Sequence, residues 1–328
     1  MGSDLVRGTA GTIQTTLSGD QITFHNARGV ALSGVVQHGE GAADSGAPAV
    51  LLCQGLSGVK HLVLPEIADR LAERGIASLR FDYAGFGASA GDRGWIDPSA
   101  RVDDALSALA WLAADHAVDA TRLGVYGHSY GGPVAISVAA RDPHVRAVVS
   151  VSGPGDGVAM LRSPRAAWDW VAFRKRVEEE RARVAAGEAP SEVPVTDLLP
   201  LSPAFLAAYE QLKASQGGTS AEQAGSGLGV STFFLGSADA MLDFDVVGAA
   251  RRLGGRPLLL VHGADDDTAP IETVEPVYAA APGPKRWIVV PGAAHNDLDS
   301  GPGLVRVIEA ASAWFTEHLS DIPRVGGA

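Results

Sequence analysis

The sequence predicts an α/β fold: a mainly parallel sheet with helices on both faces. Three observations predict it. Short strand-like runs alternate with segments of helical spacing along most of the chain. The runs at 49–53, 145–151 and 256–261 read as strands buried on both sides. Several runs end in turns carrying polar side chains, where open α/β sheets place their ligands.

In chain order, residues 21–25 and 30–36 are strand-like, with a turn at Asn26–Gly29, and 38–46 is a polar loop. Strand 49–53 follows. Leu62, Leu64, Ile67 and Leu71 share helical spacing over 62–74, and 77–82 is the next strand. A helix over 99–114 carries Val102, Leu106, Leu109 and Leu112 on one face. Strand 122–126 and helix 133–140 flank a glycine-rich turn, and strand 145–151 is next. The last part reads strand 256–261, helix 271–281, strand 286–290 and helix 303–319. Residues 157–242 break the alternation. They are expected to form a helical cap inserted after the sixth strand, leaving 1–156 and 243–328 as the core domain. Within the cap, 165–186 is helical and charge-dense, a solvated face with i,i+4 pairs such as Glu179–Arg183. A second cap helix is expected over 203–215. The Gly/Ser-rich 215–229 is expected to act as a mobile lid or hinge.

Composition narrows the function. The 328 residues are 46% apolar and 20% charged, with a mean hydropathy of +0.10. These values suit a globular protein with a large core. A net charge of -12 disfavours nucleic acid and anionic membrane surfaces as partners. The single cysteine, Cys53, excludes an internal disulfide and reads as a small core residue. No apolar run approaches a membrane span, and residues 1–7 lack a signal peptide's apolar region, so a cytoplasmic protein is expected. Oligomeric state is not readable from the chain, and a homodimer stays open.

The chemistry centres on Gly127-His128-Ser129-Tyr130-Gly131, a Gly-x-Ser-x-Gly pattern between a strand and a helix. Such a turn holds the serine in a strained conformation above the sheet edge, and a side chain at Gly127 or Gly131 would strike neighbouring backbone. It also aims the next helix's N-terminus at negative charge forming beside the serine. Downstream, strand 256–261 runs into His262-Gly263-Ala264-Asp265-Asp266-Asp267, and strand 286–290 runs into a loop containing His295. A serine hydroxyl needs a base to take its proton, and the base needs a carboxylate to fix its tautomer.

In these features the chain resembles a serine hydrolase of the α/β-hydrolase superfamily, over residues 20–160 and 250–320. The resemblance implies an eight-stranded sheet and a triad of Ser129, Asp266 and His295. Asp266 is the aspartate in register with Gly263 and Pro270. Adjacent Asp265 and Asp267, and Asp156 after the sixth strand, are the alternatives for the acid. Of nine histidines, only His295 has the place and chain order of the base. His128 is expected to point into neighbouring structure and His262 to hold its turn. Tyr130 N–H would be one oxyanion donor. The loop Gln54-Gly55-Leu56-Ser57-Gly58 resembles the family's His-Gly-x-x-Gly loop, with Gln54 in place of His, which makes Leu56 N–H the second donor. Trp168 and Trp170 lie two apart, so they cannot share a helix face; one of them could line the substrate cavity.

Gly85-x-Gly87 after strand 77–82 imitates a dinucleotide loop, but the acid that should end a second strand is missing, and the segment matches the superfamily's Asp-x-x-Gly-x-Gly-x-Ser loop. No cofactor and no metal are expected, because no Walker loop, His-Glu-x-x-His or paired-cysteine motif occurs. The implied activity is cleavage of a carboxylic ester, or a related acyl bond, of a small hydrophobic or aromatic substrate through an acyl-enzyme on Ser129. The alternatives are a C–C bond hydrolase or thioesterase with the same triad, and a non-catalytic ligand-binding protein on the same fold.

Overall fold

A computed structural model describes residues 18–40, 46–207, 211 and 232–320. Eight strands form one sheet: β1 (Asp20–His25), β2 (Ala31–Gln37), β3 (Ala47–Cys53), β4 (Ala77–Phe81), β5 (Val118–His128), β6 (Val145–Val151), then, after two short strands, β9 (Leu258–Gly263) and β10 (Lys285–Val290). Their order across the sheet is β1-β2-β4-β3-β5-β6-β9-β10. β2 is antiparallel to both its neighbours, and every other adjacent pair is parallel. The fold is therefore the α/β-hydrolase architecture, with the mainly parallel sheet the sequence predicts.

The two faces of the sheet carry separate cores, divided by strand alternation. On β3, Ala49, Leu51 and Cys53 pack on one side, and Val50 and Leu52 on the other. The first side is covered by α2 (Pro98–Ala113) and α3 (Gly131–Arg141), through Val102, Leu109, Val134 and Val138. The second is covered by α1 (Leu64–Ala72) and the last helix, α10 (Gly301–Leu319), through Ile67, Leu71, Val307 and Phe315. Gly124 in β5 lets α10 approach, because a Cβ there would sit 2.6 Å from the Phe315 ring. Asp97 starts α2 by accepting from Ser99 and Ala100 N–H, and Pro98 suits its first turn.

Between β6 and β9 the chain leaves the sheet. It forms α4 (Gly157–Arg162), α5 (Ala167–Ala185), a two-stranded ribbon of β7 (Glu192–Pro194) and β8 (Thr232–Phe234), and short helices α6 (Val195–Leu198), α7 (Ser237–Leu242) and α8 (Val246–Arg251). The ribbon and these short helices carry no long periodic run. The expected second cap helix is described over 203–207 and at 211; the Gly/Ser-rich stretch lies outside the described residues. The expected helix over 271–281 is split into a 3₁₀ turn, Ile271–Thr273, and α9 (Glu275–Ala280), with Pro276 in the first turn of α9. Among the described residues no helix is long and apolar enough to cross a membrane.

Candidate active site

Ser129 follows β5 at φ 49°, a left-handed conformation that non-glycine residues rarely adopt. The turn is held by Ser129 N–H donating to Val151 O and Gly132 N–H donating to Ser129 O. Its glycines are sterically required. A Cβ on Gly127 would lie 2.0 Å from Gly131 O, and one on Gly131 would lie 2.2 Å from Cys53 O.

The other two side chains come from loops pressed together at the ends of β9 and β10. Asp265 N–H donates to Ala293 O, and a Cβ on Gly263 would meet that same oxygen at 2.2 Å. This approach sets His295 Nδ1 2.8 Å from Asp266 Oδ2, while His295 Nε2 lies 2.9 Å from Ser129 Oγ. Asp266 Oδ1 accepts from Thr268 and Ala269 N–H, which fixes the carboxylate plane. Burial opposes charge on Asp266, but His295, His262 and the amide donors outweigh it and hold the carboxyl below its ordinary value. Burial likewise opposes charge on His295; Asp266 overcomes it and raises the imidazole above its usual value. The other acid candidates lie elsewhere in the local chemistry. Asp156 caps α4, accepting from Ala159 N–H, and Asp267 bonds the Thr268 hydroxyl. His262 holds its own turn, its Nε2 donating to Ala269 O at 2.6 Å.

The loop after β3 lies directly over Ser129: a Cβ on Gly55 would stand 3.2 Å from Ser129 Cβ and 3.6 Å from its Oγ. Gln54 builds the loop. Its Oε1 accepts from Gly55 N–H, and its Nε2 donates to Val59 O and Leu62 O. Leu56 follows Gly55 in this loop, and Tyr130 opens α3 as its N-cap residue.

Ser129 and His295 open into a cavity of about 300 Å³. Leu56 and residues from the segment between β6 and β9, including Met160, Leu199, Leu201, Phe205 and Phe233, make most of its wall apolar. Phe205 stands over His295 with ring centroids 5.6 Å apart, and Asn296 Nδ2 donates to Phe205 O. Neither tryptophan of α5 is in this wall. Trp168 is 75% exposed on the outer face of the helix, and Trp170 stacks on Phe173 at 6.1 Å. Their expected role in the cavity is thus corrected: α5 turns its inner face, Phe173 and Val177, to the core and leaves Trp168 in solvent.

The sequence reading missed three groups around the site. His128 and Asp299 form a buried pair in the cavity wall, Nε2 to Oδ1 3.3 Å. Burial pushes the Asp299 carboxyl up and the His128 imidazole down, which favours an uncharged pair. Lys60, in the loop after β3, and Asp82, just past β4, form an ion pair at 2.5 Å, both side chains essentially inaccessible. Arg101 of α2 reaches the same loop. Asp299 follows His295 by four residues, yet nothing in Asn296–Asp299 separates a buried aspartate from a solvated one. Lys60 and Arg101 lie in stretches whose charges read as surface.

A family model described as serine aminopeptidase, S33 (Hydrolase_4) matches residues 46–299. A polyketide transferase of Aspergillus fumigatus is 27% identical over 286 residues, covering 83% of this chain and 90% of that protein. A thiohydrolase of Aspergillus aculeatus is 26% identical over 313 residues, covering 92% and 93%. Among solved structures, a hypothetical protein of Pseudomonas aeruginosa superposes with a TM-score of 0.78 at 22% identity, covering 97% of this chain and 99% of that one. With the family match spanning most of the chain and an α/β-hydrolase sheet beneath it, the chain belongs to the Hydrolase_4 (serine aminopeptidase, S33) family of α/β hydrolases.

Proposed function

We propose that this chain is a serine acyl hydrolase whose nucleophile is Ser129, and that it cleaves an ester or thioester of a hydrophobic acyl group. The observation that carries the reading is the continuous relay from Ser129 Oγ through His295 to Asp266, opening on an apolar cavity. In the first half-reaction His295 Nε2 takes the Ser129 proton as Oγ attacks the acyl carbon. The tetrahedral oxyanion is held by Leu56 and Tyr130 N–H. His295 then returns the proton to the leaving alkoxide or thiolate as its bond to the acyl carbon breaks. Water, deprotonated by His295, releases the acid and restores Ser129. Asp266 holds the imidazole tautomer throughout.

The thiohydrolase and polyketide transferase relatives favour a thioester, or a polyketide-like acyl donor, within this reading. A transferase differs only in the second half-reaction, where an alcohol or amine replaces water. The apolar wall supports a hydrophobic acyl chain, and a cavity of about 300 Å³ suits a small one. The experiment is turnover of p-nitrophenyl esters and N-acetylcysteamine thioesters of graded chain length, with Ser129→Ala as control. Loss of turnover and of fluorophosphonate labelling in a folded Ser129→Ala variant is expected. Turnover unchanged by that substitution would overturn the reading.

A further inference from the structure

Arg101 stands in the first turn of α2, 3% exposed, although nothing in the relay touches it. Its guanidinium hydrogen-bonds two backbone carbonyls: Nη1 donates to Gly55 O at 3.2 Å and Nη2 to Leu56 O at 2.5 Å. The same guanidinium packs over three aromatic rings, Tyr83 at 4.7 Å, Phe86 at 4.6 Å and Tyr130 at 5.7 Å. A buried cation is costly to desolvate, so its partners must matter to the fold or to the site. Here they are the two peptide groups leading into and out of Leu56, and the ring of Tyr130. These two residues stand on different elements, a loop after β3 and the start of α3.

We propose that Arg101 is a positioning residue for the oxyanion site, fixing the loop that carries Leu56 N–H against the helix start that carries Tyr130 N–H. The inference rests on the serine acyl hydrolase reading for its catalytic consequence, but not for its structural one. With its carbonyls anchored by Arg101, the loop peptide on each side of Leu56 cannot rotate. The Leu56 N–H therefore keeps its direction without help from substrate, which is the preorganisation that oxyanion stabilisation needs. The aromatic enclosure keeps the guanidinium from finding water instead. A flexible lysine ammonium could reach one carbonyl but not fork to both.

The test compares Arg101→Met and Arg101→Lys with the wild type, all as full-length chains. Two quantities are read: amide hydrogen exchange of peptides spanning residues 54–58, and kcat and KM on the best ester or thioester. Arg101→Met should speed exchange in the loop, lower kcat by about 10²-fold, the range seen when an oxyanion donor is lost, and change KM little. Affinity for an alkylboronic acid, which mimics the tetrahedral state, should fall by the same factor. Arg101→Lys should recover part of both effects; it also serves if the methionine variant does not fold. Loop exchange unchanged from wild type in a folded variant overturns the positioning role. So does faster exchange with kcat untouched, or a kcat loss matched by an equal rise in KM. If the wild type turns over no acyl substrate, the functional reading fails, while the exchange measurement still decides what Arg101 does to the loop.

Discussion

His295 Nδ1 lies 2.8 Å from Asp266 Oδ2, and that contact reverses what burial alone would do to the imidazole. In the proposed mechanism His295 acts as the base and must be neutral, so kcat/KM should rise with pH and level off above the titration of this group. Because the aspartate raises it, the midpoint of the rise should lie above the ordinary imidazole value of about 6.5. Asp266→Asn removes the charge and leaves the burial, so the midpoint should move to lower pH while the plateau falls by roughly 10³- to 10⁴-fold. A pH–rate profile of both proteins decides the matter. A midpoint unmoved in the variant would mean that another group titrates.

Gly55 makes a steric prediction that separates site from stability. Its Cβ direction points at Ser129, 3.2 Å from that Cβ, in a buried loop that lines the cavity rather than in either core of the sheet. Gly55→Ala should therefore lower turnover at least tenfold by displacing Ser129 Oγ or the loop, in keeping with the sensitivity of reacting geometry to small displacements. Its melting temperature should stay within a few degrees of wild type. Gly131→Ala, by contrast, drives a methyl to 2.2 Å from Cys53 O, and should prevent accumulation of folded protein. Thermal melts and initial rates on the three proteins are enough.

What was readable in the sequence follows from which physics is local. Strands such as 145–151 announce themselves because both faces are buried, so nearly every side chain is apolar. The serine turn is readable because both its glycines fall within five residues in a fixed pattern: Gly127 is forced by the backbone of Gly131 inside the turn, while Gly131 is forced from outside it by Cys53 O. Arg101, Lys60 and Asp299 were not readable, since each owes its burial to elements distant in sequence: Arg101 to Gly55 and Leu56, Lys60 to Asp82, Asp299 to His128. Trp168 misled for the complementary reason. Aromatic character suggested a binding surface, but the rotation of α5 is set by Phe173 and Val177, and Trp168 falls outside.

The cavity wall predicts where specificity resides. Phe205 and Leu199 face the space above Ser129 and His295, whereas Trp168 is in solvent. Leu199→Trp should shorten the longest acyl chain accepted, and Phe205→Ala should raise KM for small substrates by withdrawing apolar contact. Trp168→Ala should leave kcat, KM and chain-length preference unchanged. A panel of esters from acetate to decanoate distinguishes these outcomes, and a changed profile in Trp168→Ala would contradict the placement of α5.

Lys60 and Asp82 supply the last prediction, one of stability. Lys60 Nζ and its own backbone N–H both bond the Asp82 carboxylate, which also accepts from Ala88 N–H. The pair thus joins the loop after β3 to the loop after β4. Lys60→Met strands a carboxylate in a place with almost no solvent, and removing one partner of such a pair costs about 3–5 kcal/mol. Asp82→Asn in the same chain discharges the stranded group while keeping an oxygen for the amides. The double variant should therefore be more stable than Lys60→Met alone, though less stable than wild type. Chemical denaturation of the three proteins reads the order directly. A double variant no better than the single one would mean that lost hydrogen bonds, rather than the unpaired charge, carry the penalty.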